Sequence, residues 1–167
     1  MPLDATPGGV SANAYVDVAG AQAYFDRRLN VAAWTAADTP TKERALMAAT
    51  ARLEQETYVA CKTAPGQALK WPRYGVEDDD TYLYSAAVVP VPVVAACCEL
   101  ALHLLNAGAT DALAPTGLEQ IAHVAIGSLD VTPSTAAPSA GALPPQVVRL
   151  LRRLRTTSAS SLRVVRG

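Results

Sequence analysis

Glu99, His103 and Asn106 fall at helical spacing within an otherwise apolar stretch, and a carboxylate beside an imidazole is the chemistry of proton transfer. Four residues bring two side chains onto one helix face, so Glu99 could orient His103 or exchange a proton with it. The same spacing also describes a polar stripe that satisfies itself or lines a subunit contact. We take that plainer reading. His123, the only other histidine, lies in a strand-like stretch with no partner in view. No GxGxxG, P-loop or Gly-x-Ser-x-Gly pattern occurs. The chain offers no reaction, and the expectation is a protein that assembles rather than an enzyme.

Two other sets invite metal chemistry. Glu77, Asp78, Asp79 and Asp80 form an acidic run. The run lacks the Asp-x-Asp-x-Asp-Gly spacing and the twelfth-position glutamate of a calcium loop, so it reads as a solvated tip that shows negative charge to a partner or a channel. Cys97 and Cys98 are adjacent in an apolar helical pattern and Cys61 stands alone. With no CxxC or Cys/His spacing, they read as small hydrophobes or incidental thiols. Neither a metal nor a cofactor is expected.

The arginines are the third set. After Asp130 the only charged residues are Arg149, Arg152, Arg153, Arg155, Arg163 and Arg166. Residues 131–167 carry +6, residues 1–130 hold eight bases against fifteen acids, and the total of −1 conceals a charge dipole. Such a one-sided segment reads as an arm that docks on an acidic surface. Its tail residues Leu162, Arg163, Val164 and Val165 could add a strand to a partner's sheet edge. Nucleic acid is the competing partner, with arginines on phosphates and Trp71, Tyr74, Tyr82 and Tyr84 stacked on bases. Against it, no aromatic stands among the arginines, the aromatic loop carries four acids in a row, and a net charge near zero disfavours tight binding to a polyanion.

The elements that must position these sets follow from composition and periodicity. Half of the 167 residues are apolar, alanine leads them and aromatics make up only 5%, which suits closely packed helices better than a β-sandwich. No apolar run approaches the roughly 20 residues of a membrane span, and the first residues lack the pattern of a signal peptide, so synthesis in a cytoplasm and no membrane partner are expected. Residues 1–12, small and rich in Pro and Gly, read as disordered. A helical body is expected over 13–132. Its first helix covers 18–29 behind an Asp17 cap, with Val18, Ala21, Tyr24, Phe25 and Leu29 inward. Trp34 sits in the following turn. Thr39-Pro40 opens a second helix to about Tyr58, with Ala45, Leu46, Ala49 and Leu53 inward.

Residues 60–90 form a loop long enough to be functional or part of an interface, for which Trp34, Trp71, Pro72 and Arg73 serve as anchors. A third helix over 92–107 is apolar all round and therefore central. Residues 121–132 read as a strand or a short hairpin around Gly127. Residues 133–167 comprise a proline-rich linker, a basic helix over 145–156 and the tail. The expected class is mainly α, a bundle of about four helices with a short strand or hairpin and an extended C-terminal arm. Deletion of residues 145–167 should leave a folded body.

Several stretches together resemble one family: Asn13 to Phe25, Ala33-Trp34-Thr35 with Lys42 to Leu46, Gln67 to Arg73 with Gly75-Val76, Glu99 to Ala101, Val124 to Val131 and the ending Arg163 to Gly167. The chain is similar to the head–tail connector (adaptor or head-completion) proteins of long-tailed bacteriophages, some of which carry the label DnaT-like single-stranded DNA-binding protein. The Trp-Pro-Arg loop after an Ala-rich helix pair is the most specific element. The resemblance implies a helical subunit forming a ring, typically of twelve copies, beneath the portal protein in the neck of a virion. It implies contacts with other copies of itself, with the portal and with a stopper or tail-completion protein, and a channel through which genomic double-stranded DNA passes without tight binding. The C-terminal segment would reach the portal. The alternative is a replication-type protein that binds single-stranded DNA. The chain departs from the pattern at 76–90, where no glycine follows the acidic residues.

Overall fold

A computed structural model describes residues 2–107, 124–126, 129–131 and 143–156. The protein is mainly helical. The described residues hold five helices, α1 (Val18–Phe25), α2 (Ala32–Ala36), α3 (Thr39–Leu53), α4 (Val91–Ala107) and α5 (Pro145–Leu150). Two short antiparallel pairs accompany them, β1 (Cys61–Lys62) with β2 (Arg73–Tyr74) and β3 (Val124–Ile126) with β4 (Leu129–Val131). In the second pair Val124 faces Val131 and Ile126 faces Leu129, the hairpin arrangement that the glycine between them suggested.

The helix starts follow local capping chemistry. The Asp17 carboxylate accepts from the Gly20 amide at 2.7 Å, satisfying a donor that has no partner inside the helix. At α3 the cap is Asp38, one residue before the expected Thr39, and its carboxylate accepts from the Thr41 amide at 2.9 Å. Helix α4, apolar on every side, packs against α1, α2, α3 and α5. Val93, Ala96, Cys97, Cys98 and Ala101 on it are fully buried. The facing residues Ala45, Leu46, Ala49 and Leu53 of α3 are buried as their spacing predicts.

Several expectations change. Helix α1 ends at Phe25 instead of residue 29: Asn30 takes a left-handed φ of 60°, Arg28 turns back toward α4, and Leu29, expected inward, is 81% exposed. Trp34 lies in the short helix α2, not in a turn. Helix α3 stops at Leu53 rather than near Tyr58, because Glu54 and the chain beyond it take hydrogen bonds from the 60–75 loop and from the C-terminal segment. Residues 2–12 are held, not disordered. The Asn13 side chain accepts from the Asp4 amide at 2.8 Å and donates to the Pro2 carbonyl at 2.9 Å, and Leu3 packs on the core.

The largest change concerns the basic helix. Over residues 145–156 it is a core element of its own chain: Leu143, Val147, Leu151 and Leu154 are buried against the body. The helix itself closes at Leu150 and a tight turn continues to Leu154. Beyond it, the Val59 amide donates to the Leu154 carbonyl and the Thr156 amide to the Thr57 carbonyl. The apolar side of this segment is the reason, since four large apolar side chains leave water only by docking. The proline-rich linker residues 133–142 and the tail residues Leu162, Arg163, Val164, Val165 and Arg166 lie outside the described residues.

Candidate functional site

The frame that carries the acidic run begins at the end of α3. Both oxygens of the Glu54 carboxylate accept from the Lys70 amide, at 3.0 and 3.1 Å, and the Tyr15 hydroxyl donates to the same carboxylate. Burial, and then the Glu54 charge, pushes the Tyr15 hydroxyl far up, so it remains a donor. Lys70 Nζ donates to the Glu56 carbonyl at 2.8 Å. The buried Gln67 amide serves three backbone groups, accepting from Ala64 N and donating to the Leu69 and Pro72 carbonyls. Loop backbone removed from water needs such partners, and side chains supply them where no sheet can.

Trp71, Pro72 and Arg73 lock this frame to the body. Trp71 is 1% exposed and meets Tyr58 edge to face, with ring centroids 5.4 Å apart. Arg73 is buried, and its guanidinium donates to the Val59 carbonyl at 2.6 Å, to the Lys70 carbonyl at 3.2 Å and to the Ala60 carbonyl. Trp34 is likewise fully buried. It packs on Phe25 and donates its indole N–H to Gln22 Oε1 at 3.0 Å. Neither tryptophan offers a face to a base.

From this frame a hairpin projects. The Tyr84 amide donates to the Val76 carbonyl and the Asp78 amide to the Tyr82 carbonyl, both at 2.8 Å, and Glu77 bridges Leu83. Asp78 Oδ1 accepts from the Asp80 and Tyr82 amides, each at 2.9 Å, so one carboxylate of the acidic run is spent on building the turn. Thr81 takes a φ of 68° at the position where a glycine is missing. Tyr82 and Leu83 stand out at the tip, 74% and 65% exposed. No set of three metal-ligating side chains occurs among the described residues.

The hairpin faces α5. Arg153 pairs with Asp79 and donates to the Asp78 carbonyl at 3.3 Å. Arg155 instead turns to Glu56 at 2.5 Å, which also accepts Arg52 at 3.2 Å. Arg149 and Arg152 are exposed. Between hairpin and helix lies a cleft of about 310 Å³, to which Glu77, Asp79 and Tyr84 contribute from one side and Arg149, Arg152 and Arg153 from the other. The sequence set the arginines apart from any aromatic, and the fold brings Tyr84 among them. Sequence reasoning also missed the parts played by Gln67, Glu54 and Tyr15. Their partners are backbone groups or residues far along the chain, and no local spacing encodes them.

The Glu99 set has a structural use. Its carboxylate accepts Arg28 Nε at 2.6 Å, Arg28 Nη2 at 3.0 Å and the Tyr24 hydroxyl at 2.7 Å, fastening α1 to α4. The Arg28 guanidinium holds the Glu99 carboxyl below its ordinary range, and Tyr24 is pushed up to about 12 by partial burial and by this bond. A carboxylate engaged by three donors is poorly placed to trade protons. His103 is half-buried one turn further on, Asn106 is exposed, and His123 lies outside the described residues. Cys97 and Cys98 are buried and Cys61 is exposed; burial pushes the Cys97 thiol up to about 11.

Fold and site together define a small helical protein whose buried Glu99 carboxylate fastens two helices and in which exposed acids and arginines face each other at a hairpin–helix junction. Over its full length, residues 1–167, the chain matches the family described as "Putative DnaT-like ssDNA binding protein", and it belongs to that family. No curated protein and no solved structure matches it.

Proposed function

We propose that the protein is a non-catalytic structural subunit of a virion neck, a ring adaptor between the portal and the stopper or tail that extends the DNA channel and completes the head. The observation that carries this reading is the framed hairpin. Glu54, Gln67, Lys70, Trp71 and Arg73 hold the loop rigid while Tyr82 and Leu83 are kept out of the core. Large apolar side chains presented on a preorganised frame suit a protein partner, because little ordering is left to be done on binding. The resemblance built on Gln67 to Arg73 supports the same reading, and that stretch is the frame itself. The engagement of Glu99 by Arg28 and Tyr24 favours a protein without a reaction.

Mass measurement of the protein alone and with purified portal tests the proposal. A closed oligomer or a portal complex is expected, weakened at least about tenfold by the double substitution Tyr82→Ser and Leu83→Ser. A protein that stays monomeric and ignores the portal would overturn it. A second reading, single-stranded DNA binding, is favoured by the family description and by the cleft that sets Tyr84 among three arginines. A titration against salt separates the two, since a phosphate-binding protein loses affinity steeply as salt rises.

A further inference from the structure

Helix α5 and the turn after it have two faces with different fates. Val147, Leu151 and Leu154 are buried, which fixes the segment and leaves Arg149, Arg152 and Arg153, at spacings of three and four, on its outer side. Arg149 and Arg152 make no ion pair with a carboxylate among the described residues. Guanidinium groups on a rigid segment, beside a half-buried tyrosine ring, are the parts of a single-strand groove: cations track the phosphates and the ring takes a base. Yet Glu77 and Asp79 stand in the same cleft, and Asp79 already occupies Arg153.

We infer that this cleft binds the phosphodiester backbone of single-stranded nucleic acid and that the acidic hairpin is its built-in competitor. The inference rests on the single-stranded DNA reading above and adds to it a location and a restraint. Carboxylate and phosphate compete for one guanidinium, so Arg153 serves either the hairpin or the strand. The competitor is held in place: the Asp78 turn and the frame behind it fix the backbone that carries Glu77 and Asp79 at the edge of the cleft. It is also displaceable, because the Arg153 and Asp79 side chains are 55% and 79% exposed and such pairs hold weakly. The result is a surface that binds little at low strand density and opens where phosphates are concentrated.

Fluorescence anisotropy of the full chain with an oligo-dT of about 20 nucleotides tests this, at about 50 and about 200 mM salt. Glu77→Gln with Asp79→Asn should tighten binding about 3- to 10-fold at the lower salt, and the gain should shrink at the higher. Asp26→Asn with Glu43→Gln, the same charge change placed just after α1 and on α3, should alter it less than about twofold. Arg149→Gln with Arg152→Gln should weaken it about tenfold or more and flatten the salt dependence. Tyr84→Leu should cost at least about fivefold. Equal tightening by the α1/α3 pair overturns the competitor, and undiminished binding after the arginine substitutions overturns the site. Equal affinity for a duplex of the same length overturns the single-strand preference. If neither wild type nor the Glu77/Asp79 variant binds, the DNA reading fails as well. All substituted side chains are at least partly exposed, and a thermal melt of each variant confirms that the fold is kept.

Discussion

Two of the arginine–carboxylate junctions between distant segments, Arg28–Glu99 and Arg153–Asp79, differ in how much water reaches them. At α1–α4, Glu99 is 4% exposed and receives both prongs of Arg28 together with the Tyr24 hydroxyl. At the hairpin–α5 junction, Arg153 and Asp79 meet in the open. A buried carboxylate that loses its donors keeps its desolvation cost, so the first junction is part of the architecture. An exposed pair exchanges protein contacts for water at little net change, so the second can be surrendered to a partner. Residue type does not distinguish a structural ion from an available one. Burial does.

The sharpest way to break this comparison is to remove α5. If the Arg153–Asp79 pair were the main tie between α5 and the body, a chain ending at Ala142 would stay folded. The buried Leu143, Val147, Leu151 and Leu154 argue otherwise. Each is worth about 1.5–3 kcal/mol when fully removed from water, and together they are comparable to the 5–15 kcal/mol that typically separates folded from unfolded domains. Truncation after Ala142 should abolish the cooperative melt seen by circular dichroism. Leu151→Ala alone should cost about 2–5 kcal/mol in urea unfolding. A truncated chain melting near the wild-type temperature would return α5 to the status of an arm.

Glu99→Gln comes next. It keeps the shape and loses the charge that Arg28 and Tyr24 serve, and it should cost about 1–3 kcal/mol at neutral pH. The sign with pH follows from the lowered carboxyl. A group whose folded value lies below its ordinary 4.5 contributes fully above that value and loses its contribution as pH falls through the folded one. The gap between wild type and Glu99→Gln should therefore be widest above about pH 4.5 and narrow in more acid solution. Urea melts across that range measure it. A gap that widens on acidification would mean that Glu99 is protonated in the folded state.

The helices were legible because their signals are local. Asp17 before an amphipathic run and the apolar stretch of residues 93–102, broken only by Glu99, each state their own environment. The charge dipole was legible too, but its structural meaning was not. A run of arginines along one face suggested a free limb, while the leucines on the other face were committed to the core. Pattern shows that a face needs a partner and does not say whose. The loop frame was less legible still. Gln67 and Arg73 work by reaching carbonyls that lie along an irregular path, and irregular paths have no period. Tyr84 joined the arginines only because 76–84 folds as a hairpin, a turn built without the expected glycine.

That turn gives a smaller prediction. Thr81 sits at a φ of 68°, where a β-branched residue is crowded by its own backbone. Thr81→Gly relieves the crowding and adds freedom to the unfolded chain, two effects that oppose each other. The first is of order 1–2 kcal/mol and the second about 0.5–1, so a net gain of up to about 1 kcal/mol is expected in thermal or urea unfolding. Thr81→Pro cannot adopt this φ and should loosen the hairpin, raising amide exchange at Asp78, Tyr82 and Tyr84. If Thr81→Gly destabilises instead, the left-handed turn is absent in solution and the hairpin loses the geometry that places its acids at the edge of the cleft.

The smallest effect belongs to the exposed junction itself, and its smallness is the point. Asp79→Asn should change the unfolding free energy by no more than about 0.5 kcal/mol, and the coupling between Asp79→Asn and Arg153→Gln in a double-mutant cycle should stay below about 1 kcal/mol. Raising salt to about 0.5 M should erase what coupling there is, since charges in the open are screened over a few ångströms. Under the same salt the coupling of Glu99→Gln with Arg28→Gln should persist, because the carboxylate is shut away from the ions. Were the Arg153–Asp79 coupling to exceed about 1.5 kcal/mol and survive salt, the two junctions would be of one kind. The hairpin would then be a strut, and Arg153 would not be free to leave it for a strand.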